Sequence, residues 1–250
     1  MEIAQWSHAA CGLAYAAPGI ALVAQRRPAG MRLVLAGAMM AMALWAGSIV
    51  LYPEPGSPSG ARAMAEWLRC AGFAGFWIAL MRRSFPPGGM GRGFEAAALA
   101  LFGAWLAAIV AGEARFIALC ALAWTVLGAI CVENLLRNAA SERRWSIKFG
   151  VAGFSIILGC DFALGLHAAL TGRVDEQLWA ARGAIDVLAA PLVFVSALRN
   201  PDWRINLHVS RAVAFHTAAA LGAGIMILMA ALAGSYMRAT GGTLGGFLEI

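Results

Sequence analysis

A chain of 250 residues that is 61% hydrophobic and only 13% charged, with a mean hydropathy of +0.74, falls outside the ordinary soluble class, where roughly 45–50% apolar and about 25% charged residues are usual. The formal net charge of +6 does not make it a nucleic-acid binder. Its basic residues sit in the links between apolar runs, and no patch able to neutralise several phosphates is formed.

The apolar runs are about 20 residues long and lack two-residue alternation, so helices satisfy the bilayer's demand for internally paired backbone. The fold class is therefore an all-α integral membrane protein, a bundle of about eight spans in a single domain, 1–250. Run one covers 4–24, with Trp6 at one interface and Pro18-Gly19 inside, where a bend is expected. The N-terminus has no positive n-region, so this run reads as a retained helix rather than a signal peptide. Run two, 33–52, stops at Pro53-Glu54-Pro55-Gly56-Ser57-Pro58. Run three, 62–81, opens with Glu66 and Arg69 at i, i+3 and ends in Arg82-Arg83.

Runs four, 94–111, and five, 116–132, are joined by the tight turn Gly112-Glu113-Ala114-Arg115. Glu133 and Arg137, an i, i+4 pair, carry the fifth helix past the bilayer. The longest basic link, 138–148, leads to run six at 147–170, and a short link leads to run seven at 178–198. Run eight, 212–237, precedes a glycine-rich tail whose Gly241-Gly242-Thr243-Leu244-Gly245-Gly246 has no GK[ST] ending and so is no phosphate loop.

Eight crossings with an outside N-terminus put Arg26, Arg27, Arg32, Arg82, Arg83, Arg92, Arg137, Arg143, Arg144, Lys148, Arg199, Arg204 and Arg211 on the inner side. That is 13 of the 19 Lys and Arg residues, so both termini are expected to be extracytoplasmic.

Ionisable residues inside apolar runs mark the expected site, because a charge in hydrocarbon needs a partner or water. Asp161 lies inside run six; Arg182 and Asp186 lie at i, i+4 in the outer half of run seven. At about 1.5 Å per residue both carboxylates sit roughly 12–14 Å below the outer ends of their helices. They are expected to form a buried Asp161/Arg182/Asp186 cluster lining an outward-facing pocket, with a helix-fixing charge pair as the plainer reading. His167, near the outer end of run six, and His8, near that of run one, are candidates to join it.

His208 and His216 bracket the inner start of run eight. With no HExxH, HxH or carboxylate-rich histidine cluster, no metal and no cofactor are expected. Cys11, Cys70, Cys120, Cys131 and Cys160 are scattered singly without CxxC spacing, as small hydrophobes between helices would be. The link Arg199-Asn200-Pro201-Asp202-Trp203-Arg204 reads as an inner-interface anchor, with Pro201 to end a helix and Trp203 at headgroup level. GxSxG is absent, and Cys11-Gly12 lacks the spaced Arg and His of an exosortase-like peptidase.

One pattern goes further. Arg144-Trp145-Ser146-Ile147-Lys148, Asp161-Phe162, Leu178-Trp179-Ala180-Ala181-Arg182-Gly183 and Ala197-Leu198-Arg199-Asn200-Pro201-Asp202-Trp203 lead on to Val209-Ser210-Arg211, Phe215-His216 and Leu221-Gly222-Ala223-Gly224. With Ala233-Gly234-Ser235-Tyr236-Met237-Arg238, this resembles the N-terminal membrane region of PrsK-type sensor histidine kinases of the PEP-CTERM/exosortase system, over about 133–246.

The resemblance implies a bacterial inner-membrane sensor acting in two-component signal transduction. It would work as a homodimer with a cognate response regulator, its output tied to exopolysaccharide and PEP-CTERM protein expression. Such kinases continue through another span into GAF-like, phosphoacceptor and ATP-binding domains, none of which is within these residues. The chain is thus expected to be the membrane module of such a kinase or a stand-alone relative, without catalysis of its own. The rival class is a small transporter or membrane enzyme using Asp161, Arg182 and Asp186.

Overall fold

Among the described residues seven long helices form where the apolar runs lie: α1 (Glu2–Val23), α2 (Gly30–Leu51), α3 (Gly60–Ser84), α4 (Met90–Ala111), α5 (Ala114–Asn138), α6 (Ser141–Thr171) and α7 (Glu176–Arg199). A shorter apolar helix, α8, spans Gly222–Gly234. The computed structural model describes residues 2–24, 30–52, 60–84, 90–139, 141–171, 173–200, 203 and 222–234. Pro201, Arg211, His216, the first part of run eight and the tail lie outside the described residues.

Each helix from α1 to α7 packs against the next, and α7 returns to pack on α1, so the seven close into a cylinder. The short links make sequential neighbours antiparallel. α8 lies outside this cylinder: its Gly224 meets Val126 of α5, and Ala231 is buried with Leu122 of α5 and Ala169 of α6.

Among the described residues five helices are long and apolar enough to cross a bilayer: Gly30–Leu51, Arg92–Ala111, Ala114–Arg137, Arg144–Thr171 and Glu176–Arg199. The protein is thus a multi-pass helical bundle in contact with lipid. α1 and α3, of 22 and 25 residues, have comparable lengths but fall outside that set. The outer faces are hydrocarbon-like, with Leu13, Leu44, Leu99, Val110 and Leu188 exposed.

The helix ends follow local chemistry. Asp175 caps α7 by accepting a hydrogen bond from the Leu178 N–H at 2.8 Å, with Glu176 in the first turn and Arg199 in the last, where the helix dipole favours each. Between α4 and α5, Gly112 supplies the positive φ of +71° that the tight turn needs. At the other end of the bundle, Arg82 pairs with Glu95 across the α3–α4 link, and Glu133 pairs with Arg137 at 2.7 Å. Arg144 donates back to the carbonyls of Ala139 at 3.0 Å and Arg137 at 3.3 Å, closing the α5–α6 connection.

Two expectations need revision. The basic link expected over 138–148 is mostly helix, because α6 begins at Ser141; backbone pairing continues past the apolar stretch and puts Arg144 and Lys148 on its first turns. Trp203, expected at headgroup level, is only 3% exposed and packs edge-on against Phe76 at 5.0 Å. Asn200, at the end of α7, donates to the carbonyls of Ser146 at 2.9 Å and Ser196 at 2.8 Å, which fastens that end to the first turns of α6. The exposed tryptophan at that end is Trp145, with Lys148 Nζ 3.0 Å from its ring centroid. Trp6, 77% exposed, occupies the end where α1 begins. α1 runs through Pro18 as one unbroken helix.

Candidate functional site: a closed ion network below a tryptophan-lined cavity

Counting residues from the helix ends at the side where α1 begins puts Glu66 and Arg182 six residues deep, Arg69 nine and Asp161 ten. At about 1.5 Å per residue these are depths of roughly 9–15 Å, so side chains from α3, α6 and α7 can meet in one layer. They do. Arg182 of α7 grips Glu66 of α3 with both terminal nitrogens, Nη2 to Oε1 at 2.8 Å and Nη1 to Oε2 at 3.0 Å. Its Nε and Nη2 also donate to Oδ1 of Asp161 at 2.8 and 2.6 Å. Arg69 donates to Oδ2 of Asp161 at 2.6 Å and to Glu66 one turn before it.

Every carboxylate therefore bridges both guanidiniums, and every guanidinium bridges both carboxylates. Two positive and two negative charges cancel. Cancellation with extensive hydrogen bonding is the condition under which such groups tolerate a low-dielectric interior, and among the described residues only Arg69 Nε of this network lacks a partner.

Aromatic groups enclose the network. The guanidinium carbons of Arg69 and Arg182 each stand 4.5 Å from the ring centroid of Trp45 on α2. A cation so placed over an indole gains electrostatically from the ring's negative face. Trp45 in turn meets His8 of α1 at 5.3 Å between ring centroids, and His8 meets Trp179 of α7 at 5.4 Å. The sulfur atoms of Met42 and Cys70 lie 3.8 and 3.7 Å from the Arg69 nitrogens.

The close approach of α1 to α7 depends on Gly183, next to Arg182. A Cβ there would stand 2.5 Å from the Ser7 carbonyl carbon and 2.6 Å from the His8 nitrogen. The Ser7 hydroxyl donates to the Ala180 carbonyl at 2.7 Å, and His8 Nδ1 donates to the Ala4 carbonyl at 2.7 Å. Although Ser7 and His8 stand 3.2 Å apart, their donors are committed to backbone oxygens, which makes them packing groups rather than a nucleophile and its base.

Above the network lies a cavity of 780 Å³. Its deep wall is formed by Glu66, Arg182, Trp45, Trp105 and Trp179, and its mouth by Arg62, Arg115, Arg173 and Glu176 near the helix ends. Exposure falls across the network: the Glu66 side chain is 22% exposed and Arg182 9%, while Asp161 is 6% and Arg69 1%. The Glu66–Arg182 edge is thus the part a ligand can reach. On the other side of the network the bundle is filled by Phe73, Phe76, Trp77 and Phe154, whose rings contact one another.

Of the residues expected at the site, Asp161 and Arg182 meet. Asp186, one turn further along α7, is fully buried yet forms no ion pair, and neither carboxylate oxygen has a hydrogen-bond partner among the described residues. Arg182 reaches away from it, across to α3 and α6. His167 shares a hydrogen bond with the Arg173 carbonyl at 3.2 Å, tying down the α6–α7 link outside the network.

Glu66 and Arg69 complete the cluster and were missing from the expected set. The signal was available: their distance from the start of α3 matches the depths of Arg182 and Asp161. No group of three or more His, Cys, Asp or Glu residues with metal-binding geometry occurs among the described residues. Comparison with family models, curated proteins and solved structures returned no match.

Proposed function

We propose that this chain is the membrane sensor module of a two-component histidine kinase of the PrsK type, seated in a bacterial inner membrane with the cavity facing outward. The observation that carries the reading is that Glu66 and Arg182 line the cavity and also hold α3 to α7. A stimulus that engages this edge must alter an interhelical contact. A receptor needs that coupling, because a ligand shifts a conformational equilibrium only by its differential affinity for the two states. Two packings of α3 against α6 and α7 would then differ in how α7 and the chain beyond it are presented to the kinase domains of a homodimer.

The resemblance over 133–246 supplies the partner, a cognate response regulator, and the output, exopolysaccharide and PEP-CTERM protein expression. The test is phosphotransfer in the host. Arg182→Gln introduced on the chromosome should lock the response-regulator phosphorylation level, high or low, independent of growth condition. An unchanged, still responsive level would reject the sensor reading.

A transporter or membrane enzyme remains the second reading because Asp186 is a buried carboxylate without a hydrogen-bond partner among the described residues, as a proton-carrying site would be. The aromatic packing beneath the network argues against a continuous path. Uptake of ions or sugars into proteoliposomes above that of empty vesicles would favour this alternative.

A further inference from the structure

From the cavity's charge and shape we infer that it binds a small amphiphilic anion, an apolar body carrying one carboxylate or phosphate group, which takes the place of Glu66 on the Arg182 guanidinium. This rests on the reading of the cavity as the input site of a receptor, and adds the chemistry of what enters.

Three observations converge. Arg115 and Arg173 stand at the mouth against one carboxylate among the described residues, Glu176. Such an excess, focused by low-dielectric walls, concentrates anions. Deeper in, the partly exposed Ile117, Ala118, Leu119 and Ala168 give an apolar surface, while Trp105 and Trp179 are almost wholly buried and Trp45 is covered by the two guanidiniums. An aromatic or aliphatic body fits those walls, and 780 Å³ lies in the range that accepts a small organic molecule. Finally, the cation of the network that lines the cavity presents a two-pronged edge. Arg182 Nη1 and Nη2 are bound by the two oxygens of Glu66, the most exposed member of the network.

Glu66 therefore holds the place of a bidentate carboxylate ligand. An incoming carboxylate or phosphate can make the same pair of bonds, leaving Glu66 to Arg69 alone. The interaction between α3 and α7 is then replaced by one between ligand and α7. Asp161, beneath, keeps Arg182 aimed at the cavity through its bonds to Nε and Nη2.

A matched probe series tests this: phenylacetate, phenyl phosphate, phenethylammonium and phenylethanol, titrated calorimetrically into the protein in lipid nanodiscs with empty nanodiscs subtracted. Phenylacetate and phenyl phosphate should bind saturably, whereas the cation and the alcohol should show only partitioning into lipid. Glu66→Gln removes the internal competitor and a negative charge, so it should tighten anion binding by about tenfold, and Arg182→Lys, which loses the fork, should abolish it. Arg173→Gln, at the mouth and outside the network, should weaken anion binding severalfold at low salt and little at high salt. That variant keeps the test informative should the network variants misfold.

Preferred binding of phenethylammonium, a weakening by Glu66→Gln, or no saturable anion binding up to about 10 mM, a range that still detects the weakest specific ligands, would overturn the inference. If anions bind as described while Arg182→Gln leaves phosphotransfer responsive, the anion site stands and the sensor reading falls.

Discussion

Arg182 contacts Asp161 twice through a single oxygen, with Nε at 2.8 Å and Nη2 at 2.6 Å, and so spends its remaining donors on Glu66 of a third helix. Removing Asp161 leaves two guanidiniums facing one carboxylate. Asp161→Asn should lower stability by about 3–5 kcal/mol, the usual result of stranding a buried charge. Arg69→Met combined with Asp161→Leu keeps the charge balanced and should recover most of that loss. Thermal unfolding in detergent, compared as a double-mutant cycle, reads the coupling.

The contact between α1 and α7 offers an independent check. At Gly183 a methyl group would meet the backbone of Ser7 and His8, which cannot swing aside. Gly183→Ala should therefore cost about 1–3 kcal/mol through overpacking. At Gly103 on α4 nothing lies within 4 Å of an added Cβ. Gly103→Ala should be neutral or stabilising by up to about 1 kcal/mol from helix propensity. Equal melting temperatures for the two variants would contradict the packing described.

Orientation follows from side-specific labelling. Among the native cysteines Cys11, Cys70, Cys131 and Cys160 are buried and Cys120 is half-buried, which leaves a low background. In intact spheroplasts an impermeant maleimide should modify Arg173→Cys, at the cavity mouth, and should reach Arg137→Cys, at the opposite end of α5, only after permeabilisation. The reverse pattern would invert the proposed topology.

Asn200 ties the end of α7 to the start of α6 through the Ser146 carbonyl. Asn200→Ala should destabilise by about 1–2 kcal/mol, the scale of a lost buried hydrogen bond and its stranded acceptor. Hydrogen exchange should rise at residues 196–203 while the centre of α3 stays protected. Uniformly faster exchange would mean that this link is not a local fastening.

The helices were legible because apolar length is the physical cause of spanning structure. Runs one to seven each coincide with a helix, with ends shifted by a few residues; α6 is the largest departure, since Arg144 and Lys148 continue it beyond the hydrocarbon. The site was legible in part. Asp161 and Arg182 declare themselves by being ionisable inside apolar sequence. Glu66 and Arg69 sit near a run's start and pass for interfacial charges until their depth is counted.

The i, i+4 spacing permits an Arg182–Asp186 pair, but a helix-surface pair is worth only a few tenths of a kcal/mol and yields to two carboxylates on facing helices. Which way a long side chain turns is decided by tertiary neighbours. Trp203 shows the same limit: amphipathic composition suits an interface, yet the rings of Phe76 and its neighbours offered a buried seat.

Because the four charged groups belong to three separate helices, they act as a gauge of helix register. Sliding any one of the three by a whole turn, about 5.4 Å, carries its contacts out of hydrogen-bonding range together. A piston movement of that size at this level costs the whole network at once. Pivoting about the joint as a unit, by contrast, leaves the four groups fastened.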